Sequence, residues 1–180
     1  NDCKRFIYAS SMSVYGDVAD KPINENHKCV PLSFYGVGKL ASEHYLRIYE
    51  SRGIISTSLR LFNVYGPGQN LINDRQGMVS IFLAQSIKGD DIIVKGDGGR
   101  FRDFIYIDDV VDITVNLINN DKTFGRIINI ANGQKIRVND ILDKINKLFS
   151  YNKKIKYVGK TPGDQYGIFA DTTLADKILL

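Results

Sequence analysis

Short apolar runs alternate along this chain with longer stretches whose apolar positions recur at helical spacing. Arg5-Phe6-Ile7-Tyr8-Ala9 reads as a buried strand. A buried parallel strand needs neighbours on both sides, brought there by crossover helices. A loop rich in turn formers, from Gly16 to Pro31, leads into a helix expected from about Ser33 to Arg52. Ser33 fits its N-cap, Gly53 lies just past its end, and Leu40, Ala41, Tyr45, Ile48 and Tyr49 give it an apolar face. Ile54 to Phe62 alternates as a strand and stops at the breaker Gly66-Pro67-Gly68. A helix is expected from Met78 to Lys88, a short strand at Ile92 to Val94, and a further strand at Phe104 to Ile107. The latter leads into a helix that starts at Asp108 or Asp109 and ends near Ile118. Arg126 to Ile130 then reads as a strand, Val138 to Phe149 as a helix, and the remainder to Leu180 as mixed structure. Strands alternating with helices predict an α/β fold with a largely parallel sheet.

Composition narrows the class. The chain has 180 residues, 43% hydrophobic and 24% charged, which suits one globular domain or a large piece of one and argues against disorder. Its net charge of +4 is scattered, apart from a mild excess between Lys144 and Lys160. That pattern describes a solvated surface better than a nucleic-acid footprint, and it suits an anionic small-molecule ligand. Cys3 and Cys29 have no metal-ligand spacing and are too few for a disulfide framework, so a reducing cytoplasm is expected and no metal. No long apolar run argues for a membrane.

The first candidate chemistry is Tyr35-Gly36-Val37-Gly38-Lys39. Residues at i and i+4 share a helix face, so the ammonium stands beside the phenol. An unperturbed tyrosine titrates near 10, and a neighbouring cation favours the phenolate that could exchange a proton with an alcohol. With 10 tyrosines in the chain, about one pair at this spacing arises by chance, so the spacing alone is no more than a surface pair. Context changes that. Ala9-Ser10-Ser11-Met12-Ser13-Val14-Tyr15-Gly16 follows the first strand, Arg60-Leu61-Phe62-Asn63-Val64-Tyr65-Gly66-Pro67 ends another, and Phe101-Arg102-Asp103-Phe104-Ile105-Tyr106-Ile107-Asp108-Asp109 sets an arginine before a third. Hydroxyl residues at the carboxyl ends of parallel strands sit where open α/β sheets bind ligands.

With these four segments in this order, the chain resembles the extended short-chain dehydrogenase/reductase family, in its nucleotide-sugar epimerase and dehydratase branch. The resemblance covers essentially the whole length. It implies a Rossmann-like parallel sheet, present in its C-terminal part only, joined to a smaller mixed α/β substrate-binding domain. Residues 1–65 would belong to the cofactor domain and 66–180 mostly to the substrate domain, with roughly 101–120 returning to the first. It implies NAD as cofactor, a nucleotide-diphospho-sugar as substrate and a homodimer, with no nucleic-acid or membrane partner. Tyr35 would be the general base and acid, Lys39 would hold the nicotinamide ribose and tune Tyr35, and Ser11 would bond the reacting alcohol. Ser10 and Phe62 would lie against the cofactor, Asn63 would contact substrate, Arg102 would pair with the diphosphate and Asp164 would lie near the nucleotide ribose. On residues alone, Arg102 could instead bridge to Asp103 or Asp108, and Asp164 could be a turn residue.

Departures from the family pattern shape the expected reaction. Thr161 stands where many relatives carry arginine, and Lys95 stands near the place of a base-stacking aromatic. The glycine-rich turn that binds the cofactor pyrophosphate is not in the chain, which therefore reads as a fragment cut short at both ends. Gly36-Val37-Gly38-Lys39-Leu40-Ala41 matches G-x-G-x-x-A, but it starts inside a helix instead of following a buried strand. Gly96-Asp97-Gly98-Gly99 reads as a turn. Met12 and Ser13 occupy positions where dehydratases resemble an Asp-Glu pair and decarboxylases carry Glu at the second. Neither residue here can do acid–base work. Reversible oxidation at one sugar carbon remains, as in a 4-epimerase, in a pocket expected to be lined by Met12, Lys95 and Ile168. The alternatives are a glucuronate, N-acetylhexosamine or heptose epimerase, a reductase, a non-catalytic binding protein on the same fold, or an inactive remnant.

Overall fold

A computed structural model describes residues 3–18, 20–72, 77–149, 154–159 and 165–179. In chain order its elements are β1 (Arg5–Ser11), α1 (Phe34–Tyr49), β2 (Ile55–Leu61), β3 (Asn63–Tyr65), α2 (Met78–Lys88), β4 (Ile92–Lys95), β5 (Phe101–Arg102), β6 (Phe104–Tyr106), α3 (Ile107–Leu117), β7 (Ile127–Ile130), β8 (Ile136–Arg137), α4 (Val138–Phe149), β9 (Ile155–Val158) and α5 (Thr173–Leu179). A 3-10 turn, Met12–Val14, follows β1, and another, Glu50–Arg52, extends α1 to Gly53 at φ 83°.

The central sheet runs β1-β2-β7, parallel throughout. Its register sets Ser11 beside Leu61 and Leu61 beside Ile130, so three strands end at one level. Immediately beyond that level β3 pairs with β6, Asn63 opposite Phe104. The pairs β4-β9 and β5-β8 are parallel and antiparallel. Leu59, Ile105, Val110, Leu117, Ile128, Ile130 and Ala175 pack one core between the sheet, α3 and α5. A second core joins α2, β4 and α4 through Phe82, Ile92, Val94, Ile141, Leu142 and Ile145. Thus β7 and α5, from beyond residue 120, build the same layer as β1 and β2. The expected alternation is present, and β3, β5 and β8 are added where runs of two or three residues carry too little periodicity to be read.

The helix over α1 differs from expectation in one respect. Its ends are as predicted: Ser33 Oγ accepts from Gly36 N at 3.1 Å. Its inward face is as predicted only in part: Leu40 packs against a core and Ala41 is half-buried, but Tyr45, Ile48 and Tyr49 are exposed while Gly36 and Glu43 are buried. The fully buried positions are a glycine and a paired carboxylate, which an apolar count does not assign to that side. Gly36 is required there by a close approach: a Cβ would stand 2.5 Å from Ser13 O and 2.9 Å from Pro31 Cβ. Gly38 faces open space, with nothing within 4 Å. Gly36→Ala is therefore expected to destabilise the protein by about 1–3 kcal/mol through overpacking against backbone. Gly38→Ala is expected to be neutral or stabilising, by up to about 1 kcal/mol of helix propensity. Paired urea denaturation curves check this, and equal midpoints for the two variants would refute the close approach.

Candidate active site

The carboxyl ends of β1 and β2 open into a cavity of about 540 Å³, lined among others by Ser10, Ser11, Met12, Tyr35, Lys39, Phe62 and Asn63. It lies where an open α/β sheet offers strand ends to a ligand. Each polar side chain reaches it for a local reason. Ser11 is the last residue of β1 and the N-cap of the turn that follows. Its Oγ accepts from Ser13 N at 3.2 Å and from Ser13 Oγ at 3.0 Å. A hydroxyl has two lone pairs and one proton. Ser11 Oγ is thus held by two bonds from Ser13 and keeps hydrogen-bonding capacity toward the cavity. Ser13, no acid or base itself, orients it.

Lys39 and Tyr35 project from the first turns of α1. Lys39 Nζ donates to Ala9 O at 2.7 Å, which engages one of the ammonium's three donors. It also lies 5.0 Å from the centroid of the Tyr8 ring and 5.4 Å from that of Tyr35. The i, i+4 spacing thus does bring cation and phenol together. Tyr35 is 59% exposed. Tyr15, a few residues past β1, is its opposite: 1% exposed, donating to Asn129 Oδ1 at 2.6 Å. Burial pushes the Tyr15 phenol up to about 12, although Arg60 works against the rise. Of these two tyrosines only Tyr35 can meet a substrate.

Asn63 opens β3, with its backbone N–H donating to Asp103 O at 3.0 Å. Its Oδ1 is buried and has no partner among the described residues. A buried acceptor without a donor is costly, by about 1–3 kcal/mol, and a ligand N–H or O–H would satisfy it. Phe62, 4% exposed, supplies an apolar wall. Beneath the cavity, Glu43 and Arg60 form a buried fork, Nε to Oε1 at 3.0 Å and NH2 to Oε2 at 2.7 Å. Ser10 Oγ donates to the same Oε1 at 2.5 Å. Burial works against the Arg60 charge, but Glu43 and Tyr15 outweigh it and hold the guanidinium protonated.

The cavity therefore gathers Ser10, Ser11, Tyr35, Lys39, Phe62 and Asn63. Arg102 is elsewhere: 3% exposed, it donates to the carbonyls of Phe101, Gln165 and Tyr166 and does not line the cavity. Asp164 and Thr161 lie outside the described residues. Of the expected lining, Met12 is present. Ile168 instead packs in a core with Val14, Tyr15, Ile23 and Phe62, and Lys95 sits at the end of β4. Sequence reasoning missed Gln69, Gly77, Met78, Val79 and Phe104 on the opposite wall. Gly77 before a helix, following the breaker at 66–68, was the available signal. Gly36 to Ala41 is helical, as expected. In the other glycine run, Asp97 Oδ1 accepts from Gly99 N at 2.9 Å, closing a turn. Among the described residues there is no metal-ligating cluster, and no helix is long and apolar enough to cross a membrane.

Comparison with known proteins agrees with this geometry. The model of the NAD dependent epimerase/dehydratase family matches residues 1–131. The putative UDP-glucose 4-epimerase of Methanocaldococcus jannaschii is 33% identical over 179 residues, covering 98% of this chain and 57% of its own. The UDP-N-acetylglucosamine 4-epimerase of Methanobrevibacter ruminantium, solved with UDP-N-acetylmuramic acid, superposes with a TM-score of 0.91 at 30% identity, over 98% of this chain and 57% of that one. The UDP-glucuronic acid 4-epimerase of Bacillus cereus, solved with UDP-glucuronic acid and NAD, gives 0.89 at 31% identity, over 97% and 55%. The chain spans somewhat more than half the length of these relatives.

Proposed function

The chain belongs to the NAD-dependent epimerase/dehydratase family, and on that premise we propose that the intact protein epimerises a nucleotide-diphospho-sugar at carbon 4, UDP-glucose and UDP-galactose being the pair. The observation that carries this is the meeting of Ser11, Tyr35 and Lys39 in one cavity at the strand ends. The lining fits the nicotinamide end of NAD: Lys39 has donors to spare, Asn63 Oδ1 is an acceptor without a partner, and Phe62 is apolar. NAD, when bound, supplies the acceptor and donor of a hydride.

The residues do the rest. Tyr35 takes the proton of the 4-hydroxyl as the carbon becomes a ketone and returns it when the alcohol re-forms on the other face. Ser11, held in place by Ser13, donates its hydroxyl proton to the reacting oxygen and steadies its charge. Lys39 carries the positive charge beside the phenol. Asn63 holds the ligand's polar edge. Met12 and Ser13 support epimerisation over loss of water or carbon dioxide, because neither supplies a second acid or base at the site. The roles of Arg102 at the diphosphate and Asp164 at the ribose rest on the family resemblance alone. The exposed Tyr45 and Ile48 on α1 offer apolar surface for a homodimer of the intact protein.

The test is a panel of UDP-glucose, UDP-glucuronate and UDP-N-acetylglucosamine incubated with the intact protein and no added oxidant. The expected outcome is the 4-epimer, fastest from UDP-glucose. Formation of a dehydrated or decarboxylated sugar would overturn the reaction type, and preference for another sugar would overturn the substrate.

A further inference from the structure

We infer that Glu43, through its bonds to Ser10 and Arg60, is a positioning residue that holds Tyr35 and Lys39 at a fixed place over Ser11. This rests on the reading above, in which those three residues do the chemistry. A helix set on a sheet is normally kept in register by large apolar side chains locked between strands. On α1 the large apolar residue packed against a core is Leu40; Tyr45, Ile48 and Tyr49 are exposed, and the fully buried positions are Gly36 and Glu43. Polar bonds to successive residues of β1 supply the rest. Lys39 Nζ holds Ala9 O at 2.7 Å, and one turn later Glu43 Oε1 holds Ser10 Oγ at 2.5 Å. The next residue of the strand is Ser11.

Glu43 is itself fixed from behind. Arg60, on β2, meets both of its oxygens in a planar fork, a geometry that specifies orientation as well as distance. Arg60 is fixed in turn, donating to Glu25 O at 3.2 Å and lying 4.7 Å from the centroid of the Tyr15 ring. Glu43 and Arg60 are 5% and 3% exposed. A buried pair of this kind adds little net stability over well-packed apolar residues. What it supplies here is direction, and directional placement is what proton transfer between Tyr35 and a sugar hydroxyl requires.

The decisive variant is the double replacement Glu43→Leu with Arg60→Leu in the intact protein, which removes the bonds without leaving a buried charge alone. The expected result is a thermal midpoint close to that of the unsubstituted protein, KM for the nucleotide sugar within about threefold, and kcat lower by about 10- to 100-fold. A stable double variant with kcat within about twofold would overturn the proposal, because a merely structural pair is replaced by its apolar substitute without loss of rate. Should the double variant fail to fold, Glu43→Asp decides. It keeps the charge but is one methylene too short to hold Ser10 and Arg60 together, and the same kcat criterion applies. If the unsubstituted protein turns over no nucleotide sugar, the functional reading falls separately. Positioning is then read from amide hydrogen exchange over residues 34–39, which must speed up in the double variant, and unchanged protection there would refute it.

Discussion

Replacing Tyr35 by Phe is expected to lower kcat for nucleotide-sugar epimerisation by about a hundredfold to ten-thousandfold, with substrate binding nearly unchanged. That range is what a positioned general acid–base group contributes. The substitution removes one oxygen from a side chain that is more than half exposed and has no packing role to lose. Stability should therefore hold, and the loss should appear in kcat alone, the signature of an interaction made in the transition state. Tyr15→Phe is the internal control. Its hydroxyl donates to Asn129 Oδ1 in the core and does not face the cavity, so the change should cost stability and lower kcat far less than Tyr35→Phe does. The measurements are steady-state kinetics and isothermal titration with the nucleotide sugar. A Tyr35→Phe protein that keeps its turnover would remove the tyrosine from the mechanism.

Asp103→Ala is expected to cost several kcal/mol of folding free energy. The side chain is 0% exposed, and its carboxylate accepts from the backbone N–H groups of Asn132 at 3.0 Å, Gly133 at 2.9 Å and Ala170 at 3.0 Å. The Ala170 donor is buried, and leaving it without a partner costs about 1–3 kcal/mol. The Asn132 and Gly133 donors are part-buried and add less, and a domain has only about 5–15 kcal/mol in all. Asp103→Asn keeps an acceptor but turns two N–H donors toward those amides, so it should fall between. Burial raises the Asp103 carboxyl above its ordinary value, and the bonds from Ala170, Asn132 and Gly133 pull it back only in part. With a raised folded-state value, its contribution is full in acid, below the ordinary carboxylate range, and declines as pH rises through the folded value. Denaturant midpoints at neutral pH check the substitutions, and an Ala variant within about 1 kcal/mol of the parent would refute the account.

Much of this was legible in the sequence, for reasons that differ by residue. The ends of α1 were readable because Ser33 and Gly53 do local chemistry, a cap and a left-handed turn, which no distant contact can override. The strand β7 was readable as an apolar run because Ile128, Asn129 and Ile130 are buried. By contrast, β1 is an edge strand that buries only Ser10 and exposes Phe6 and Ala9, and β2 buries Ser56, Thr57, Ser58 and Arg60 beside Leu59. Neither is the buried apolar strand that its sequence suggests. The face of α1 was read correctly at Leu40 and misread at Tyr45, Ile48 and Tyr49, because its fully buried positions are Gly36 and Glu43, and burying a carboxylate is favourable only once Arg60 and Ser10 are in place. That fact belongs to tertiary structure. The Tyr35 and Lys39 pair was visible as spacing but gained meaning from Ser11 and Phe62-Asn63. Those neighbours are remote in sequence and meet only because Ser11 and Leu61 share a register. The other lining residues, Gln69, Gly77, Met78, Val79 and Phe104, form no catalytic motif, and the one local mark among them is Gly77 before a helix.

The pairing of β2 with β7 sets an order of events as well as a shape. Leu61 lies beside Ile130, so the chain from β3 to α3 leaves the central sheet and must return before that edge can close. Contacts so distant in sequence form slowly, because the entropy of closing a long loop is lost before any bond is gained. The strand β6 and the helix α2, which wall the cavity, lie within that excursion. Half-folded chains then have the tyrosine and the lysine but no chamber around them. A ligand of the cavity would bind only molecules that have finished folding and, by mass action, draw the rest toward completion.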